Sequence, residues 1–401
     1  MSDTLTLLAA DGSVTSTPLN DAPGFDKPAA GLRSRVAFAA AHVTPLTWAD
    51  NTPGQPAEID WDATLGFRRA VYSWGLGVAD AMDTAQRNMG LDPAAVRELI
   101  ARSAEVAREE GGQVAVGVNT DHLESETASL AEIVDAYKAQ LHHAEEHGAI
   151  PVLMASRHLA RAAGSADDYR RVYRAVLDAA TTPVVLHWLG TAFDPLLAGY
   201  FGSAAWTAAA DVLVDIIAAD PAKISGVKMS LLDADAEVAV RERLPEGVRM
   251  YTGDDFNYVG LIGGADVPQA TQPERSAGTD RTHSDALLGA FAAITPVASA
   301  AIQALDAGDA DRYYALLAPT EALSRQVFAA PTFYYKTGVA FLAWLNGHQA
   351  AFQMVGGLHS ARSLPHLSEI VRLANAAHAL EDPHLAAERW HGMLALNGVT
   401  R

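Results

Sequence analysis

Pro183-Val-Val-Leu-His187, Ile224-Ser-Gly-Val-Lys-Met229 and Arg249-Met-Tyr-Thr252 are three short, mostly apolar runs, and stretches of helical periodicity separate them. A strand with hydrophobic residues at consecutive positions has both faces buried, which marks a parallel sheet covered by helices. Working outward, the same kind of run recurs upstream as Val36-Ala-Phe-Ala-Ala-Ala-His42, Val78 to Met82, Val114-Ala-Val-Gly-Val118 and Ile150-Pro-Val-Leu-Met154, and downstream as Ala286-Leu-Leu-Gly-Ala-Phe291. Helical stretches alternate with these runs, from about Asp60 to Trp74, from Asp92-Pro-Ala-Ala, from Ser129 to His147, from Ser165-Ala-Asp-Asp and across Ala204–Ala219. Asp92 followed by proline reads as an N-cap with Pro at the first helical position. Eight such units in about 260 residues predict a (β/α)8 barrel of the α/β class, with a doubly wound open sheet as the competitor. No G-x-G-x-x-G or G-x-x-x-x-G-K-[ST] follows any of these runs, which removes the nucleotide-binding versions of the open sheet. After Thr295 the pattern is helical throughout. The expected organisation is a barrel with a short N-terminal extension over residues 1–295 and a C-terminal helical appendage over 296–401.

Composition narrows the function. Of 401 residues, 29 are Lys or Arg and 48 Asp or Glu, a formal charge of −19, so binding to nucleic acid or to an anionic membrane has no electrostatic support. Hydrophobic residues make up 49%, enough for a large core. There is no cysteine, which excludes disulfides, thiolate metal sites and a Cys nucleophile. The N-terminal residues lack the pattern of a signal peptide and no long uncharged apolar run is present, so the expectation is a cytoplasmic protein acting on a small molecule.

In a barrel the reactive groups sit at the C-terminal ends of the strands and in the loops that follow. That rule selects His42 and Thr44, Asp83 and Thr84, Asn119, Arg157 and His158, His187, Lys228, Asp254 and Asp255, and His283 before the eighth strand. Lys228 is one of five lysines and lies in the apolar run Gly226-Val-Lys-Met229. Burial disfavours the ammonium and makes the amine a nucleophile able to form a Schiff base, although the position also suits an ion pair with Asp254. Asp83, Thr84 and Asn119 could hold hydroxyls or cap loops, and Arg157 with His158 could clamp an anion or lie solvated. His142, His143 and His147 read as surface. Tyr334, Tyr335 and the aromatic residues at 341–344 read as core or interface.

Ile224-Ser-Gly-Val-Lys-Met-Ser230 followed by Tyr251-Thr-Gly-Asp-Asp255 resembles the strand-six and strand-seven signatures of the dihydrodipicolinate synthase/N-acetylneuraminate lyase family, as a divergent branch of it. His42-Val-Thr-Pro45, Pro183-Val-Val-Leu186 and the order barrel-then-helices extend the likeness over about Arg35 to Gly347, strongest over 183–260. The resemblance implies that Lys228 is the Schiff-base lysine, that no cofactor is needed, and that the protein is a homodimer or homotetramer. Thr44, Asp83, Thr84, Asn119, Arg157, His158, Thr252, Gly253 and Asp254 are then the expected substrate-binding residues. Two departures stand out. The family's Thr-Thr-Gly-Glu, which holds the carboxylate of pyruvate, is Asp83-Thr-Ala-Gln86 here, and its tyrosine is replaced by His187. Pyruvate is therefore expected to bind poorly, and His187 to carry the proton. The expected activity is aldol cleavage or dehydration of a hydroxylated keto compound from sugar or sugar-acid catabolism. Two other readings use the same residues. His42, Asp83, His187, Asp254 and His283 could converge on a metal, as in metal-dependent aldolases, isomerases and hydrolases, or the barrel could bind a sugar without turning it over. The Gly/Pro/Thr/Asp-rich stretch Gly263–Ser284 is either a lid or a disordered loop.

Overall fold

The computed structural model describes residues 4–82, 87–267 and 282–399. A hairpin comes first, β1 (Thr4–Leu8) antiparallel to β2 (Val14–Pro18). Eight parallel strands then follow: β3 (Ala37–Ala40), β4 (Gly77–Asp80), β5 (Val114–Val118), β6 (Ile150–Leu153), β7 (Val184–Leu189), β8 (Ile224–Ser230), β9 (Arg249–Thr252) and β10 (Asp285–Leu288). They pair in sequence order, and β10 closes the ring by pairing Ala286 with Ala37 of β3. All eight strands anticipated from the apolar runs are present, and the fold is a (β/α)8 barrel.

The strands are separated or followed by α1 (Trp61–Ser73), α2 (Pro93–Glu110), α3 (Leu130–Glu146), α4 (Arg157–Ala162), α5 (Ala166–Ala179), α6 (Trp206–Ala219), α7 (Ala234–Arg241), α8 (Tyr258–Gly263), α9 (Ala290–Ala293) and α10 (Thr295–Asp306). Their starts are written in the sequence. Asp60 accepts from the backbone N–H of Ala63 and Asp92 from that of Ala95, and Ser129 with Glu132 forms a capping box. The helical appendage comprises α11 (Ala310–Val327), α12 (Lys336–Leu345), α13 (Leu364–Ala376) and α14 (Pro383–Leu396). No single helix among the described residues is long and apolar enough to cross a membrane.

The N-terminal extension belongs with these last helices. The backbone N–H of Leu8 donates to Ser368 Oγ at 2.7 Å, and Trp390 Nε1 donates to the Thr6 carbonyl at 2.7 Å. A two-stranded hairpin is marginal alone, and the helices supply the surface it needs. Its sequence signal is Thr alternating with Leu in Thr4–Leu8 and with Val and Ser in Val14–Pro18, on either side of Asp11-Gly12, where Gly12 takes φ of +83°.

Inside the barrel a second core, distinct from the one between sheet and helices, is built from Phe38, Ala40, Ala79, Ala115, Val152, Met154, Val185, Tyr251 and Leu287, with Met82 beside them. Phe38 and Tyr251 meet edge to face at 6.1 Å. Glycines make room for both rings: a Cβ on Gly77 would lie 2.5 Å from the Phe38 ring, and one on Gly226 the same distance from Tyr251. Lys228 follows Gly226 by two residues, so it stands on the same face of β8 one layer nearer the C-terminal mouth.

The first turn of the barrel is pinned by a buried ion pair. Arg68 of α1 reaches both carboxylate oxygens of Asp80, at 2.9 and 2.8 Å, and also donates to the His42 carbonyl at 2.6 Å. Asp80 further accepts from Ser103 Oγ. Arg68→Met should leave that carboxylate buried without its counter-charge and cost about 3–5 kcal/mol in denaturant unfolding, more than Arg68→Met combined with Asp80→Leu. Equal costs for the single and double variants would show the pair to be energetically idle.

Candidate active site

The side chains at the ends of β7, β8 and β9 converge because neighbouring strands are in register: His187 is paired with Lys228, and Lys228 with Tyr251. Lys228 is 7% exposed. Its stem passes Gly253, where a Cβ would fall 2.9 Å from Lys228 Cε, 2.7 Å from the Met229 carbonyl and 2.2 Å from Ser230 Oγ. Glycine at 253 is therefore a space requirement of the lysine and serine. His187 Nε2 and Ser230 Oγ are 3.1 Å apart, while His187 Nδ1 has no partner among the described residues. Burial holds His187 well below the usual imidazole range, and the Lys228 charge pushes the same way, so the ring is neutral at pH 7.

Asp255 completes this group. It is buried, accepts the backbone N–H of Ala290 at 2.8 Å, and is raised to about 7 by burial, with Lys228 and Lys336 pulling it back down. Lys336, the first residue of α12, comes from the helical appendage. It is 2% exposed, its Nζ donates to the Ala40 carbonyl at the end of β3, and burial lowers it to about 7 against the opposing pull of Asp255. Two amines and a carboxylate thus share the mouth of the barrel. Sequence reasoning missed Lys336 because it follows the strand-end rule, and this residue arrives from outside the barrel. The available signal was a lysine, the scarcest cation in the chain, at the head of the apolar run Thr337-Gly-Val-Ala-Phe341.

The remaining candidates fall in three places. His42 and Thr44 meet on Gln349, which follows α12: His42 Nε2 is 2.7 Å and Thr44 Oγ1 3.4 Å from its Oε1. Burial lowers His42 to about 3. Asn119, Arg157 and His158 border a cleft of about 570 Å³ above the ends of β5 to β7, together with Leu189, Phe193 and, from the appendage, Phe333. Arg157 Nε donates to Asp194 at 2.6 Å, and His158 spans Thr120 Oγ1 and the Ser125 carbonyl at 2.9 and 3.0 Å. The cleft's arginines are matched by acids, Arg87 by Asp121 and Arg161 by Glu126, so it has no net cationic face. Asp254 folds back onto the turn that leads into α8: it accepts from the N–H groups of Phe256 and Asn257 and from Asn257 Nδ2. Thr252 turns outward to Glu237, whose carboxyl burial raises to about 8. His283 contacts Thr282 and is lowered to about 4 by burial. Thus His42, His187, Asp254 and His283 each have separate surroundings, and among the described residues no three His, Asp or Glu side chains converge as a metal site. Asp83, Thr84 and most of Gly263–Ser284 lie outside the described residues.

Gly253→Ala should destabilise the fold by about 1–3 kcal/mol by overpacking the Lys228 chamber. Gly66→Ala, within α1 and with nothing near its Cβ, should be neutral or stabilising. Urea unfolding of the two variants checks this, and an unperturbed Gly253→Ala would refute the packing around Lys228.

No curated, characterised sequence matches the chain. Among solved structures it is similar to dihydrodipicolinate synthase from Oceanobacillus iheyensis (12% identity, TM-score 0.59, 86% of this chain and 96% of that one). It is also similar to dihydrodipicolinate synthase from Bacillus anthracis (16%, 0.59, 84% and 97%) and to a putative dihydrodipicolinate synthetase from Pseudomonas aeruginosa (14%, 0.61, 86% and 99%). These likenesses establish the dihydrodipicolinate synthase fold. A family model matches residues 5–399, nearly the whole chain, and by that match the protein belongs to the family described as "Protein of unknown function (DUF993)".

Proposed function

We propose that this protein is a Schiff-base-forming lyase that cleaves or dehydrates a hydroxylated keto compound, of the kind met in sugar or sugar-acid catabolism. The observation that carries the reading is the Lys228 amine, buried inside the barrel at its C-terminal end and flanked by Asp255, His187 and Ser230. The solved structures it is similar to are named as synthases of dihydrodipicolinate, and the shared fold supports the same class of chemistry. In this reading Lys228 Nζ adds to the substrate carbonyl carbon, the carbonyl oxygen leaves as water after taking up protons, and the resulting iminium accepts the electron pair of the bond that breaks. Asp255, near 7, is matched to giving and taking protons at neutral pH, while neutral His187 relays protons and orients Ser230. The cleft bordered by the polar side chains of Asn119, Arg157 and His158 accommodates the hydroxylated remainder of the substrate. Replacement of the family's Thr-Thr-Gly-Glu by Asp83-Thr-Ala-Gln86 argues against pyruvate as the preferred carbonyl.

Incubation with a panel of hydroxylated keto acids and keto sugars plus borohydride should add one reduced-ligand mass to the peptide containing Lys228, and none in Lys228→Ala. Pyruvate should give little adduct and little thermal stabilisation. His187→Asn should still form the adduct but turn over roughly two to four powers of ten more slowly. Activity abolished by a chelator with no adduct in the wild type would replace this reading by the metal-dependent one, and binding of the panel with neither adduct nor turnover by a sugar-binding barrel.

A further inference from the structure

Two kinds of side chain line the cleft above β5 to β7, and they differ in what they leave unanswered. The polar ones are mostly occupied with one another. Arg87 spends its Nε and both Nη groups on Asp121, Gln140 and the Ala81 and Gly117 carbonyls. One oxygen of Asp194 accepts from Arg157 Nε and the other from the Leu196 N–H, while both ring nitrogens of His158 are taken by Thr120 and Ser125. Two donors are left over. Asn119 accepts the Thr120 N–H through its Oδ1, so its Nδ2 and the Nη pair of Arg157 have no partner among the described residues. The Glu124 carboxylate stands exposed at the rim.

The apolar side chains of the cleft lack such partners. Leu189, Phe193, Leu196 and Phe333 border the same space. Leu196 is 56% exposed, a large apolar group standing in water, and its place is set by the Asp194 bond to its N–H in the turn Pro195–Leu197. Phe193 is a fixed platform, held edge to face by Phe328 and Tyr335 with ring centroids 6.2 and 6.3 Å away. Phe333, half-buried, reaches the cleft from the short turn Thr332–Tyr334 that precedes α12. The cleft adjoins the Lys228 chamber at β7, where Leu189 pairs with Ser230, the residue hydrogen-bonded to His187.

Polar groups that already answer one another gain little from a ligand, whereas exposed apolar surface gains by leaving water. The volume of about 570 Å³ is in the range of pockets that enclose drug-sized ligands, with mostly apolar linings and a few placed polar groups. We propose that the substrate ends in an apolar tail, alkyl or aryl, seated on Phe193, Leu196 and Phe333, with the hydroxyl beside the reacting bond at Asn119 and Arg157. The proposal rests on the Schiff-base reading of Lys228 and names the tail which that reading leaves open.

The test uses three β-hydroxy methyl ketones that share their reacting end and differ in the tail, phenyl, isobutyl or dihydroxypropyl, trapped with borohydride on the full chain. The concentration giving half-maximal adduct on the Lys228 peptide should be at least about tenfold lower for the phenyl and isobutyl tails. Leu196→Gln and Phe333→Ala should each raise it by roughly three- to tenfold for the phenyl tail and leave the dihydroxypropyl tail unchanged. A dihydroxypropyl tail trapped as readily as phenyl, or both variants trapping the phenyl ketone like the wild type, overturns the proposal. If no ketone gives an adduct, the lyase reading falls and the tail is judged separately, by calorimetric binding of the same compounds reduced to diols, which cannot form an imine. Tighter binding of the phenyl and isobutyl diols than of the polyol then upholds the apolar seat, and the absence of that order overturns it.

Discussion

A charge enclosed by a sheet closed on itself has no water to screen it, so it must be answered by another charge or by its own neutralisation. The mouth of this barrel encloses Lys228, Lys336 and Asp255 together, and much of the surrounding structure serves that confinement. The Arg68–Asp80 pair settles its own charge on the neighbouring strand. His42 and His187 are kept neutral by burial and cationic neighbours, so neither adds a further positive charge. The appendage therefore contributes to the chamber directly, through Lys336 at the head of α12 and Gln349 just beyond it.

Room for these groups comes from small side chains. Ala40, Ala79 and Ala115 line the interior where a larger residue would fill the space, and Gly253 yields its side-chain volume to Lys228 and Ser230. Below them Phe38 and Tyr251, admitted by Gly77 and Gly226, close the floor. The interior is thus graded from an aromatic base to a polar mouth, the arrangement a barrel needs to expose reactive groups at one end.

How much of this could be read in advance depended on the range of the interactions. Strands such as Val114–Val118 and Val184–Leu189 announce themselves because apolar residues on both faces are a local property. The Asp92 and Ser129 caps are legible for the same reason. Lys228 was legible as a cation in an apolar run and as part of a family signature. Asp255 appeared beside Asp254 with nothing local to rank them: both are buried, Asp254 turned back onto the N–H groups of Phe256 and Asn257 and Asp255 accepting from Ala290. Lys336 was out of reach, since its partner Ala40 is 296 residues away in sequence. The hairpin escaped attention because its strands are half exposed and their packing surface lies at the other end of the chain.

That last arrangement has a bearing on biosynthesis. The Thr6 carbonyl waits for Trp390, 384 residues later, and the Ala40 carbonyl for Lys336. At ribosomal rates of about 5–20 residues per second, the hairpin has nothing to dock on for roughly 20–80 s. During that interval the nascent barrel presents an undocked strand pair and a mouth without Lys336 and Gln349. The mouth is complete when the closing helices arrive, so a prematurely terminated chain would carry Lys228 and His42 without Lys336 and Gln349 beside them.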